Sequence, residues 1–279
     1  TQPATGKQFW IHNGGFDSYG AMATWKATAQ LDYSREASRA AMAAIAREFM
    51  ESTGVDGYRV DMAYQILNDP FARLWKKAMP QREFLEQLAT GLKIANPGFA
   101  LIAEAYADMD KISAAGFDVN YNKSDERRDG QQGFYDALRG DYDQASKTFT
   151  PHAATIERAL RRVAYLAWQK GGAGGLQFST NHDEDSPQRA FGKWTKAALF
   201  VSMLLPGAQL VYGSQEIGYD RPVIAADGKV IEGKSIPFSE PRQVDWLGAD
   251  SAVAKFYDGL FRQRSRIYGK DQGAEMTVI

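Results

Sequence analysis

The chain has 279 residues, 44% of them hydrophobic and 24% charged, with a formal net charge of -1, which suits one large globular domain or two small ones. No block of Lys and Arg supplies the basic face that a nucleic-acid partner needs, and no apolar run approaches a membrane span, so a neutral substrate fits this balance best. The absence of cysteine excludes disulfides, thiolate catalysis and Cys-ligated zinc, and three histidines, His12, His152 and His182, leave little for a His-rich metal site.

Residues 1–33 show no clean periodicity and read as loop. Ser34 is a candidate N-cap, followed by Met42, Ile45 and Phe49 at helical spacing. That helix leads into a strand ending at Asp61. Pro80 opens a second helix, with Phe84, Leu88, Leu92 and Ala95 on one side, and Pro97 prevents its continuation. The turn Asn96-Pro97-Gly98 precedes a short apolar strand ending at Glu104. Phe117-Asp118-Val119-Asn120-Tyr121 is a third strand, and Thr150-Pro151 caps a long helix carrying Ile156, Leu160, Val163 and Ala167. The glycines between Gly171 and Gly175 end that helix and lead to a strand that runs up to Asn181-His182-Asp183. Residues 193–205 form a helix that stops at Pro206-Gly207, before a last strand, Gln209-Leu210-Val211-Tyr212-Gly213. Residues 221–250 read as a long loop, and residues 251–267 as a helix with Phe256, Leu260 and Ile267 inward.

Strands alternating with helices five times over imply a parallel sheet, and five units are too few to close an eight-stranded barrel. Three of the strands end in an acid: Asp61, Glu104 and Asp183. Acids at the C-terminal ends of successive barrel strands converge on one mouth. Strand periodicity puts Arg59 on the same face as Asp61. In a buried setting its guanidinium keeps that carboxylate ionised, as a nucleophile needs. Arg-x-Asp taken alone fits a structural ion pair equally well.

The segments Gly57-Tyr58-Arg59-Val60-Asp61, Ala103-Glu104-Ala105 and Asn181-His182-Asp183, in that order, resemble the alpha-amylase superfamily, glycoside hydrolase family 13. Ala29-Gln30-Leu31-Asp32-Tyr33 is a weaker match to a further short motif. The resemblance implies the α/β fold of a partial TIM (β/α)8 barrel, strands four to eight with their helices. Residues 1–33 then correspond to the end of the excursion domain after strand three, 34–270 to the catalytic barrel, and 271–279 to a linker or the first strand of a C-terminal β-domain. The chain opens on Thr1 rather than Met, and an open half-barrel exposes long strand edges. We therefore expect a piece of a larger protein, completed by the missing N-terminal part of the barrel. A secreted or periplasmic location is favoured over a cytoplasmic one.

The same resemblance implies a retaining glycosidase or transglycosidase acting on the α-glucosidic bonds of starch-like glucans or maltodextrins. Asp61 is then the nucleophile, Glu104 the general acid/base, and Asp183 the acid that holds the sugar hydroxyls. Arg59, His182 and Tyr64 are expected at the substrate. Tyr58, Tyr106, Trp194 and Trp246 are further candidates for stacking on sugar rings. Glu184 and Asp185 read as rim residues, and Asn122-Lys123-Ser124 is a formal glycosylation sequon. Family members usually carry Lys-His three residues past the nucleophile, where this chain has Tyr64-Gln65; transglycosylation and short maltodextrins therefore stay open. So do an α-1,6-glucosidase, a sucrose- or isomaltose-type isomerising relative, and a non-catalytic carbohydrate-binding relative. No cofactor is required for this chemistry; a structural calcium fits the family, with its main ligands outside this chain.

Overall fold

The computed structural model describes residues 30–124, 133–143, 148–169 and 175–269. His12, Ala29, most of the expected leading loop, the glycines from Gly171 to Gly174 and the expected C-terminal strand at 271–279 lie outside them. The chain falls into two compact units, one running to Asn120 and the other from Tyr121 onward.

The first unit begins with α1 (Glu36–Thr53), which leads to β1 (Gly57–Val60). A 3-10 turn at Ala63–Ile66 and α2 (Asn68–Trp75) follow, then α3 (Phe84–Ala95), β2 (Ala100–Ala103), α4 (Met109–Ala114) and β3 (Val119–Tyr121), whose last residue is the first of the second unit. The strands β1, β2 and β3 are parallel neighbours. Val60 pairs with Ala103, so this register sets Asp61 and Glu104 side by side, each one residue past the C-terminal end of its strand. Close approach is required at Gly57, where a Cβ would come within 2.4 Å of the Ala100 carbonyl oxygen.

Helix α3 buries Phe84, Leu85, Leu88 and Leu92, the face its spacing predicts, although it starts at Phe84 and not at Pro80. Its residues join Tyr64, Leu67, Phe71, Phe99 and Leu101 in one core. Helix α1 turns a different face inward from the expected one. Met42 packs on the core with Ala43, Ala46 and Met50, while Ile45 and Phe49 are exposed. The residue that decides this rotation is Arg39, fully buried and donating to the carbonyls of Tyr33 and Arg82 and to Asn68 Oδ1. Three partners satisfy the guanidinium, so its burial is tolerated. Ser34 does not cap α1; its hydroxyl donates to Asp32.

The second unit contains α5 (Phe134–Arg139), the antiparallel pair β4 (Asp141–Asp143) and β5 (Thr148–Thr150), and α6 (Ala153–Gln169). Next come β6 (Gly175–Phe178), α7 (Pro187–Phe191), α8 (Thr195–Leu204) and β7 (Ala208–Leu210), parallel to β6. The stretch expected as one long loop contains a small hairpin, β8 (Val223–Ile224) with β9 (Val230–Glu232). Helix α9 (Ser251–Ile267) buries Tyr257 and Leu260 against Leu199 and Met203, while Ile267 faces solvent. A second cluster joins Phe134, Ala159, Val163 and Leu205.

The fold is thus part of a (β/α)8 barrel, with parallel strands in both units connected through helices. No helix among the described residues is long and apolar enough to cross a membrane.

Candidate active site

In the first unit the strand register concentrates charge at one point. One terminal nitrogen of Arg59 pairs with Asp61 Oδ1, and the other lies 2.8 Å from Glu104 Oε2. A single guanidinium therefore spans both carboxylates. Contrary to the expectation of a buried pair, the Asp61 side chain is 70% exposed, whereas that of Glu104 is only 6% exposed.

Glu104 is held by three further groups. The Met62 N–H donates to Oε2 at 3.0 Å, the Tyr106 hydroxyl donates to Oε1 at 2.6 Å, and the Ala63 N–H donates to the Glu104 carbonyl at 2.9 Å. Met62 reaches this position in a left-handed backbone conformation, φ 42°, unusual for a residue with a side chain. Burial pushes the Glu104 carboxyl above its ordinary range. Tyr106, Arg59 and the Met62 N–H pull it back in part, and the Asp61 charge adds to the rise. The two carboxyls thus sit in different environments around one guanidinium: Glu104 buried and with its pKa raised, Asp61 exposed.

Tyr64 departs from its expected role. The left-handed turn at Met62 is followed by a helical turn that carries Tyr64 into the core, where it is completely buried with its ring edge-on to Tyr106. It offers no face to a sugar. Tyr58 also packs, donating to the Ala46 carbonyl and lying against Phe99. Tyr106 is the aromatic that touches the acid.

In the second unit Asn181 explains the shape of its motif. Its buried side-chain oxygen accepts the N–H groups of Asp183 (2.8 Å) and Glu184 (3.2 Å), which folds the chain into a tight turn. Asp183 emerges from that turn 40% exposed, with His182 Nε2 at 3.1 Å from Oδ2 and Lys234 Nζ at 3.9 Å from Oδ1. The His182 ring neighbours Tyr212 and Phe238.

Glu184 is no rim residue. It is buried between Lys123 at 3.2 Å and Arg139 at 3.3 Å. Burial alone would depress Lys123, but Asp136 and Glu184 outweigh it and hold the ammonium above its ordinary value. This buried charge cluster anchors the turn from below. The Asn122 sequon is occupied internally, with its amide donating to Gln177 and its oxygen accepting from Phe134 N–H. Trp194 and Trp246 are both exposed. His152 lies on the surface near Asp141. Among the described residues no group of three or more His, Asp or Glu side chains gathers as metal donors.

The model of the alpha-amylase catalytic domain matches residues 2–245. The chain belongs to the alpha-amylase family. Several solved structures of this family share its fold. A cyclomaltodextrinase superposes with a TM-score of 0.60 at 17% identity, over 88% of this chain and 36% of its own. A Nostoc punctiforme debranching enzyme gives 0.60 at 17% identity, over 92% and 51%. A cyclic alpha-maltosyl-(1-->6)-maltose hydrolase from Arthrobacter globiformis gives 0.55 at 17% identity, over 88% and 47%. The chain thus spans between about a third and a half of these alpha-amylase family structures. None of the curated proteins compared with it matches in sequence.

Proposed function

We propose that the protein is a retaining glycosidase or transglycosidase that cleaves α-glucosidic bonds of maltodextrins or related glucans. The observation that carries this reading is the Arg59 bridge, which ties an exposed Asp61 and a buried Glu104 to one guanidinium. Retaining chemistry wants its two carboxyls about 5–5.5 Å apart, close enough for direct attack, while inverting chemistry leaves room for a water between them. Two carboxylates sharing one guanidinium favour the shorter spacing.

In this reading Asp61 attacks the anomeric carbon while the glycosidic C–O bond breaks and Glu104 gives its proton to the departing oxygen. A glycosyl ester on Asp61 results. Glu104, now a carboxylate, takes a proton from water or an acceptor hydroxyl, whose oxygen displaces Asp61 and restores the original anomeric configuration. Arg59 holds both carboxyls in register throughout. Asp183 accepts from the hydroxyls beside the reacting carbon, with His182 as its neighbour; that role rests on the family motif and on the exposed setting of the carboxylate. The family structures of similar fold include a cyclomaltodextrinase, a debranching enzyme and a cyclic maltosyl-maltose hydrolase, which supports a glucan here.

Asp61→Asn and Glu104→Gln should each lower kcat on maltoheptaose by roughly a thousandfold or more, with the fold intact by circular dichroism. Proton NMR of the first product should show the α anomer. A β product would overturn the retaining reading. Full activity in either variant would remove that residue from its role, and binding of maltoheptaose by the unaltered protein with no turnover would return it to a carbohydrate-binding reading.

A further inference from the structure

We propose that Lys234 is a specificity-determining residue of this site, donating to the oxygen of the same sugar hydroxyl whose proton Asp183 accepts. The inference rests on the reading of Asp183 as a sugar-holding acid. A hydroxyl needs a donor for its oxygen and an acceptor for its hydrogen. Asp183 alone offers only the second. Lys234 Nζ lies 3.9 Å from Asp183 Oδ1, too long for a direct hydrogen bond and short enough for one oxygen to bridge.

The ammonium is built into that position. Its side chain is 18% exposed, less than half the exposure of Asp183. Nζ stands 3.5 Å above the Phe238 ring, and that ring in turn neighbours His182. The loop that carries it is fastened at both ends. The Gly233 carbonyl accepts the Ser186 N–H at 3.2 Å, and a Cβ at Gly233 would come within 2.3 Å of Asp185 Oδ1, so the loop lies directly against the turn. Glu232 closes the far side, accepting from the N–H groups of Phe238 (2.6 Å) and Ser239 (3.2 Å) and from the Ser239 hydroxyl (2.8 Å). Ser235, next to Lys234, is buried. A lysine merely decorating the surface has no reason to be pinned over an aromatic ring beside a functional acid.

The ligand class is a neutral pyranose with equatorial hydroxyls beside its anomeric carbon. The test uses the full-length protein and compares Lys234→Met, which keeps the stem over Phe238, with Lys234→Arg and Asp183→Asn. Substrates are an aryl α-maltoside and its analogues lacking the 2- or the 3-hydroxyl on the reacting ring. Lys234→Met should raise KM about tenfold, the size of one lost charge-assisted hydrogen bond, with kcat nearly unchanged. Lys234→Arg should recover most of the loss. On one of the two deoxy substrates the penalty of Lys234→Met should vanish. An unchanged KM, or an equal penalty on both deoxy substrates, overturns the proposal while inactive Asp183→Asn leaves the reading of Asp183 standing. Fully active Asp183→Asn removes that reading and the proposal with it. If Lys234→Met does not fold, Lys234→Gln carries the same comparison.

Discussion

Glu104 is balanced by opposing terms. Burial favours its neutral form; Tyr106, Arg59 and the Met62 N–H favour the anion. Because its folded pKa is raised, Glu104 contributes stability below its unfolded pKa and loses it as pH rises through the folded value. In the proposed mechanism the same titration sets the basic limb of activity, since a general acid must carry its proton. Tyr106→Phe removes a hydrogen bond that lowers this pKa, so the basic limb of kcat/KM should move to higher pH; a limb that stays in place or moves down contradicts the assignment. Asp61 and Glu104 were legible in the sequence because each directly ends a short apolar run, and the paired register of Val60 with Ala103 then makes neighbours of them. Tyr64 was not, because its direction is set by the left-handed turn at Met62, which no periodicity announces. Lys234 was hidden as well. It is brought to Asp183 from fifty-one positions away by a hairpin too short to leave an alternating pattern.

Helices of three or more turns could be read from spacing, and those of one or two turns could not. Helices α3, α6, α8 and α9 show apolar residues at helical intervals. Helices α2, α4, α5 and α7 run five to eight residues; such pieces draw their stability from packing rather than from their own sequence. Helix α1 was found but rotated, because a buried charge, Arg39, occupies the face that hydrophobicity alone would assign elsewhere. Caps separate in the same way. Asp250 accepts from the N–H groups of Ala252 and Val253 at the start of α9. Asp250→Ala should therefore destabilise the fold by about 1 kcal/mol in a urea titration, while Ser34→Ala, at a position that caps nothing, should change it by only a few tenths. Equal losses in the two variants would show that the α9 cap is not formed.

At the scale of the whole molecule, parallel strands linked through helices deliver side chains to their C-terminal ends, and that is where Asp61 and Glu104 lie. Alternation of apolar runs with helical spacing was enough to expect a parallel α/β sheet, the resemblance of three short motifs made it part of a barrel, and the family match over residues 2–245 agrees with that. The near-neutral charge and the exposed acid beside a buried one suit an uncharged sugar better than a phosphate or a nucleic acid. In the proposed mechanism Asp61 becomes covalently bound to the sugar. The direct measurement is to incubate the full-length protein with 5-fluoro-α-glucosyl fluoride, digest it and locate the added mass among the peptides. A glycosyl ester on Asp61, lost in Asp61→Asn, is the expected result; turnover of the reagent with no adduct on Asp61, or an adduct on Glu104, contradicts the account.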